Sequence, residues 1–279
     1  MSEEYELVPS LTRASLGDYE ELFARVYGST EKLSERYLHW LYCDNPCGEV
    51  VGVDAYWGDK LAAHYATIPR LYRFGDRIFR VLLSVNTATS PDHQRKGLFK
   101  KTASETYRRA SESGFDAVVG VANAQSIHGF LSSLGFSSLG QVSLEIFSGS
   151  TAMQGTENQT LRLQQSAEWL NWRLSQPSAR YVLGKVHDDT RPVLAKVGRA
   201  IFNLGEVSGL ETGPFLKEAP LYWKYLALTP KFPSPRGAIN LPKWLVPSPW
   251  HVIVRPLACE SFLEFAKTLE LTGLDMDSF

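Results

Sequence analysis

The stretch Ser90 to Thr102, SPDHQRKGLFKKT, sets a glycine inside a run of bases where an apolar strand gives way to a helix. The run before it, Val81 to Thr89 (VLLSVNTAT), is short and partly β-branched, which predicts a strand, and Pro91 stops it. From Leu98 the chain reads LFKKTASETYRRASESG, with Leu98, Phe99, Thr102, Ala103, Thr106, Tyr107 and Ala110 at helical spacing and Gly114 as terminator. The unit is strand, loop, helix. A helix start leaves about four N–H groups without intrahelical partners, at the positive end of the helix dipole. A glycine there lets an anion approach the backbone closely, and Arg95, Lys96, Lys100 and Lys101 add positive charge. The spacing is neither GxxxxGK[ST] nor GxGxxG, so neither nucleoside triphosphates nor dinucleotides are indicated.

On the N-terminal side, Leu16 to Tyr27 and Leu33 to Tyr42 carry apolar and aromatic residues at amphipathic spacing and are predicted helices. Val50 to Trp57, Leu61 to Ile68 and Leu71 to Val85, with turns at Gly58-Asp59-Lys60 and Phe74-Gly75-Asp76-Arg77, predict an antiparallel meander. On the C-terminal side come a strand, Phe115 to Ala122, a helix, Ala124 to Leu134, and a further strand, Val142 to Phe147. The polar segment Ser148 to Gln159 breaks the periodicity and is the expected linker. Two domains follow, residues 1–149 and 150–279, in a chain of 279 residues that is 44% hydrophobic and long enough to bury a sizeable core.

The second domain hints at a repeat of the first. Ser166 to Pro177 (SAEWLNWRLSQP) is similar to Glu35 to Pro46 (ERYLHWLYCDNP), and strands are expected after each. Nothing after residue 150 reproduces QRKGLF, so one anion loop is expected and not two.

Bulk properties narrow the function. A net charge of −1 argues against a nucleic-acid binder held mainly by a strongly basic face, and leaves room for a local basic patch. Three cysteines, with only Cys43 and Cys47 close together and no second Cys or His pair at zinc spacing, suit a reducing compartment and give no metal site. The polar, acidic N-terminus is no secretory signal, and no apolar run approaches the roughly 20 residues of a membrane span. A cytoplasmic protein is expected.

SPDHQRKGLF, after a strand and opening a helix, resembles the acyl-CoA signature [QR]-x-x-G-x-[GA] of the GNAT superfamily of N-acetyltransferases, with Gln94 and Gly97 at the first and fourth positions. Asn123 after the next strand, and Leu134-Gly135-Phe136 at the end of the following helix, resemble that family's second cofactor element. The element order of residues 1–147 agrees. The resemblance implies an α/β fold with a mixed, mostly antiparallel sheet flanked by helices, followed by a second, degenerate GNAT-like domain. It also implies transfer of an acetyl group from acetyl-CoA to an amine by direct attack. The pyrophosphate is expected on the amides of Gln94, Arg95, Lys96, Gly97, Leu98 and Phe99, and the pantetheine arm between strands ending near Thr89 and Ala122. Thr87, Ala88 and Thr89 then lie near the thioester, with Asn123 as a further cofactor contact. Two positions depart from the family: Phe99 stands at the sixth signature position, and Leu131 stands where many members carry a proton-donating Tyr.

Position alone nominates the acid and base. His64 lies on a meander strand with Asp54 on the neighbouring one; Asn86, before the loop, can orient amine or thioester; His128, on the helix before Leu134, can replace the missing Tyr. In the second domain Trp169 and Trp172 are predicted core. The proline-flanked Trp244 and Trp250 are candidate platforms for a sugar or base, and His187, Asp188 and Asp189 a solvated turn. One competent domain plus a degenerate copy resembles, in layout, bacterial enzymes that acetylate nucleotide-linked amino sugars. An amino acid, a polyamine, an aminoglycoside or a protein amine fits as acceptor too, and so does a non-catalytic CoA-binding module. Transfer from aminoacyl-tRNA is disfavoured by the near-neutral charge.

Overall fold

The structure, a computed structural model, describes residues 5–29, 31–146, 159–184, 190–197, 200–208, 217–218, 227–233 and 249–276. Helix α1 (Leu16–Tyr27) starts from a capping box: the Ser15 side chain accepts from the Asp18 N–H, and the Asp18 carboxylate accepts from the Ser15 N–H. Helix α2 (Glu35–Tyr42) starts from Ser34, whose hydroxyl accepts from the Tyr37 N–H. Strands β1 (Glu6–Pro9), β2 (Val51–Trp57), β3 (Lys60–Phe74) and β4 (Arg77–Thr89) pair antiparallel in that order. The expected break between Ile68 and Leu71 does not occur; β3 runs through Pro69, and the turn at Gly75-Asp76 begins β4. Helix α3 (Leu98–Glu112) crosses over to β5 (Ala117–Ala122), which is parallel to β4, and α4 (Ile127–Ser133) follows. Residues 62–70 of β3 are buried without alternation because helices cover both faces. Tyr65 packs with Ala103 and Tyr107 of α3, while Ala66 and Ile68 join the core that holds α1 and α2.

Strands β6 (Ser137–Gln141) and β7 (Ser143–Ile146) close the first half, and the second half builds a sheet of the same plan. After β8 (Arg162–Leu163), α5 (Ala167–Leu174) leads into β9 (Tyr181–Leu183), β10 (Thr190–Val197) and β11 (Ala200–Ser208), an antiparallel meander. Strand β12 (Lys217–Glu218) adds to β9, and β13 (Ala227–Phe232) lies parallel to β11, as β5 lies parallel to β4. Each meander carries one extra residue in its third strand: β4 bulges opposite Ala66, and β11 bulges at Leu204.

The two sheets exchange strands. β14 (His251–Pro256), from near the C-terminus, inserts antiparallel between β5 and β6, while β7 leaves the first half and pairs with β13. Helix α6 (Phe262–Ala266) and β15 (Leu271–Thr272), which pairs with β13, complete the described chain. The expected boundary at residues 149 and 150 therefore does not separate the sheets, and the predicted strand over Val142 to Phe147 serves the other sheet. Most of the expected linker, and with it Trp244, His187, Asp188 and Asp189, lies outside the described residues.

The repeat becomes a contact. Ser166 caps α5 through the Trp169 N–H as Ser34 caps α2 through the Tyr37 N–H. The two caps keep the spacing of the shared aromatic-Leu-x-Trp pattern, Tyr37 to Trp40 and Trp169 to Trp172, so Trp172 answers to Trp40. These two rings stack at 4.6 Å and 9°, and each indole N–H donates to the other's backbone carbonyl at 2.8 Å. Trp169 and Trp172 are core, as expected.

Candidate active site

Beside α3 the sheet opens. β4 and β5 pair from Val81 with Ala117 to Ser84 with Gly120 and then part, while β4 stays on β3 to Thr89 and β5 stays on β14 to Ala122. The bulge at Val85 and Asn86 turns β4 away from its parallel neighbour, so the gap is built into the strands. A cleft of about 510 Å³ occupies it, lined among others by Tyr27, Asn86, Thr87, Asn123, Ser126 and Trp250. Trp250 and Ile253 come from the second half, through β14 and the residue before it. Of the expected strand residues, Thr87 and Asn86 line the cleft; Ala88 is buried, and it and Thr89 continue the pairing with β3. Asn123 lines the cleft and shapes its rim, its side-chain oxygen accepting from the Gln125 and Ser126 N–H groups.

At the end of β4 the anion loop is held from behind. The Ser90 N–H donates to the Ala62 carbonyl, and Arg25 donates to Ser90 and Asp92 at 3.0 and 3.1 Å. His93 accepts or donates at Nδ1 to the Tyr5 hydroxyl, 2.8 Å away. Gln94, Arg95, Lys96 and Gly97 are exposed, and Arg95 and Gly97 both take left-handed backbone, with φ of 61° and 74°. Gly97 is the N-cap of α3, and a Cβ there would meet nothing within 4 Å. Conformation therefore selects glycine, while the space beside it is left for a ligand. Leu98 points the other way, into a pocket of Ala55, Ala62 and Ala63. Phe99 also turns inward, against Tyr65, Phe130 and the space a Cβ on Gly129 would take, so its bulk fills the α3–α4 junction and not the loop. The loop and the strand gap fit an acyl-CoA, with backbone N–H groups for a pyrophosphate and a slot between strands for a narrow arm.

The acid–base candidates part company. Asp54 and His64 face each other on β2 and β3, both fully buried, with Asp54 Oδ1 at 2.7 Å from His64 Nδ1. His64 Nε2 meets the Tyr42 hydroxyl at 2.9 Å, and Asn86 Nδ2 donates to that hydroxyl at 2.9 Å. Asp54 also accepts from Tyr19 at 2.7 Å and Ser10 at 3.1 Å. Burial and the adjoining carboxylate both raise the Tyr19 pKa, which keeps its proton in place. The hydrogen-bonded route from Asp54 and His64 to the cleft thus runs through Tyr42 and Asn86. His128 is exposed on α4 and is not among the cleft-lining residues, nor is the exposed Leu131. Sequence reasoning passed over Tyr19, Tyr27 and Tyr42 because each sat on a helical pattern that core packing already explained. The Tyr27 hydroxyl donates to the Thr87 carbonyl at the gap, and burial raises its pKa.

Residues 8–138 match the profile of the acetyltransferase (GNAT) domain. That match spans 131 of the 279 residues, from β1 to the start of β6. No curated protein matches the chain. Among solved structures, a GCN5-related N-acetyltransferase from Kribbella flavida superposes with a TM-score of 0.63 at 12% identity, covering 91% of this chain and 71% of its own. A probable N-acyltransferase of unknown function from Enterococcus faecalis gives 0.61 at 8%, covering 94% and 75%. A GCN5-related N-acetyltransferase from Anabaena variabilis gives 0.60 at 12%, covering 91% and 73%. At such identities they share the fold, and the coverage extends that likeness across the second sheet. The GNAT domain makes this an acyl-CoA-dependent N-acetyltransferase. Among the described residues no helix is long and apolar enough to cross a membrane, and no group of three His, Cys, Asp or Glu is placed to hold a metal ion.

Proposed function

We propose that the protein moves an acetyl group from acetyl-CoA to the primary amine of a small, weakly basic acceptor, a nucleotide-linked amino sugar. Acetyl-CoA, when bound, supplies the thioester whose C–S bond breaks as the amine nitrogen forms the new C–N bond, the thiol leaving with the amine's proton. The amides of Gln94 to Phe99 hold its pyrophosphate, with Arg95 and Lys96 adding charge, and Thr87 to Thr89 and Asn123 border its arm. Fixing both reactants in one cleft removes the translational cost of their meeting.

The observation that carries the acceptor class is the cleft's lining. Among the described residues that line it, Tyr27 is the one ionisable side chain, and none is a carboxylate or an imidazole. An alkylamine of the lysine kind, with a pKa of about 10.4, arrives protonated and needs a base to take the proton. An amine whose pKa lies near that of an α-amino group, about 8, is partly neutral already. Amino sugars belong to the second class, because ring and hydroxyl oxygens withdraw electrons from the nitrogen. The nucleotide half of the acceptor rests on the two-sheet layout, with Trp250 of the second half at the cleft. The second sheet is read as a degenerate copy of the first that completes the acceptor site, and the reaction is placed in the cytoplasm, where both substrates are made.

A thiol-release assay with acetyl-CoA against dTDP- and UDP-linked amino sugars, polyamines, aminoglycosides and amino acids tests this. Turnover confined to nucleotide sugars is expected. Turnover confined to polyamines, or none at all while CoA still binds, overturns the acceptor.

A further inference from the structure

We infer that Asn86 presents its amide oxygen, and not its amide N–H, to the acceptor amine, because the buried chain behind it runs in one direction. The inference rests on the reading of the cleft as the acceptor site. It begins at Asp54, which is fully buried and accepts from Tyr19, from Ser10 and, at 2.7 Å, from His64 Nδ1. A carboxylate has no proton to give, so the proton in the last contact sits on Nδ1. His64 Nε2 is then a bare acceptor, and the group 2.9 Å away that can donate to it is the Tyr42 hydroxyl. Tyr42 has spent its one proton, so its oxygen accepts at 2.9 Å from Asn86 Nδ2. Asn86 lines the cleft, and the oxygen is the end of its amide that this chain leaves over. Running the chain of the neutral ring the other way sets a bare nitrogen against the Asp54 carboxylate.

An amide oxygen in the cleft selects a partner that carries N–H. A neutral amine can place one of its N–H groups on Asn86 Oδ1, which turns its lone pair away from that oxygen. As the nitrogen gives up its lone pair it becomes positive, and the same contact turns into a charge-assisted one. The hydrogen bond is thus stronger at the transition state than before it, which is the condition for raising turnover and not only affinity. Asn86 touches the acceptor; Tyr42, His64 and Asp54 are positioning residues that fix which end of its amide faces out.

The test uses the whole chain. ¹⁵N NMR of the histidine side chains, with His64 assigned by its absence in His64→Gln, should show Nδ1 protonated and Nε2 bare. An Nε2–H signal for His64 overturns the direction of the chain whether or not any acceptor turns over. With a dTDP-linked amino sugar as acceptor, Asn86→Ala should lower kcat/KM about 100-fold. Tyr42→Phe, which frees the amide to turn, should lower it about tenfold, with CoA affinity by calorimetry within twofold of wild type for both. Weakening of CoA affinity in step with kcat/KM assigns Asn86 to the cofactor and overturns the inference, as does wild-type kcat/KM in a melting-checked Asn86→Ala. A wild-type protein silent on all amines, with His64 as expected, instead removes the acceptor reading on which the role of Asn86 depends.

Discussion

The two sheets follow one plan and serve different ends. Each is an antiparallel meander with a bulge in its third strand, a parallel fourth strand, and an antiparallel neighbour to that fourth strand lent by the other half. Each is preceded by an eight-residue helix capped by serine, with a tryptophan at the sixth position. What the first has and the second lacks is the sequence after the third strand. QRKGLF gives a left-handed glycine at a helix start, and GLETGPF, after Ser208, gives no such run of bases. The plan of the sheet therefore sets where a cleft can open, and a few residues beyond it decide whether an acyl-CoA is held there. The second half keeps the plan and spends it on support: it lends β14 to the strand that borders the cleft, and Trp172 to the helix that carries Tyr42.

The comparison breaks most readily at the shared contact. Trp172→Ala removes the ring stacked on Trp40 and the indole N–H that pairs with it, and should cost about 3–5 kcal/mol in chemical denaturation. Trp40→Ala should cost a similar amount, and the double variant less than the sum, because each loses the same stack. Strict additivity would mean that the halves are not joined through this pair. Next in size is the loop. Gly97→Glu forces a side chain onto φ 74° and puts a carboxylate where the pyrophosphate is proposed, so CoA affinity in a calorimetric titration should fall at least 100-fold. Gly97→Ala, which keeps the strain without the charge, should lose far less. Equal losses in the two would make the glycine a matter of backbone alone.

The acceptor supplies a smaller but more diagnostic effect. A cleft with no base should show the amine's own titration in kcat/KM. For a nucleotide-linked amino sugar the rate should climb about tenfold per pH unit and level off near the amine pKa, about 8, because each unit below it raises the neutral fraction tenfold. A plateau reached by about pH 6 would reveal a base in the cleft.

How much of this was legible beforehand follows from the range of the interactions. Helix α1 was readable to the residue, since Ser15, the aromatic stripe and Gly28 are all local signals. The glycine loop was readable too, because phosphate binding at a helix start needs only neighbours in sequence. Asp54 and His64 could be named because they sit on adjacent strands of a hairpin. Tyr42 could not: it lies on α2, 22 residues from His64, and its burial fits plain core packing. The strand exchange was also out of reach, because β14, a short apolar run with Val252, Ile253 and Val254 all buried, reads no differently from a strand that stays with its own half. His128 shows the limit of position on a helix: a residue of the right type on the right helix, it is exposed and is not among the residues that line the gap.

The finest test of the two-copy view lies in the caps. Ser34 and Ser166 each accept from the N–H three residues on, which a side-chain oxygen at that position does in any helix. Ser34→Ala and Ser166→Ala should each cost about 1 kcal/mol, with Thr or Asp at either site restoring most of it. The informative quantity is their coupling. The caps lie on different helices and share no partner, but α2 and α5 meet at the tryptophan pair two turns further on. If fraying of one helix start reaches that pair, the double variant should lose more than the sum by at least 0.5 kcal/mol, and the excess should vanish in a Trp172→Ala background. Additive losses in both backgrounds would place the caps outside the junction, and the repeat would then be one of local helix chemistry and not of a shared interface.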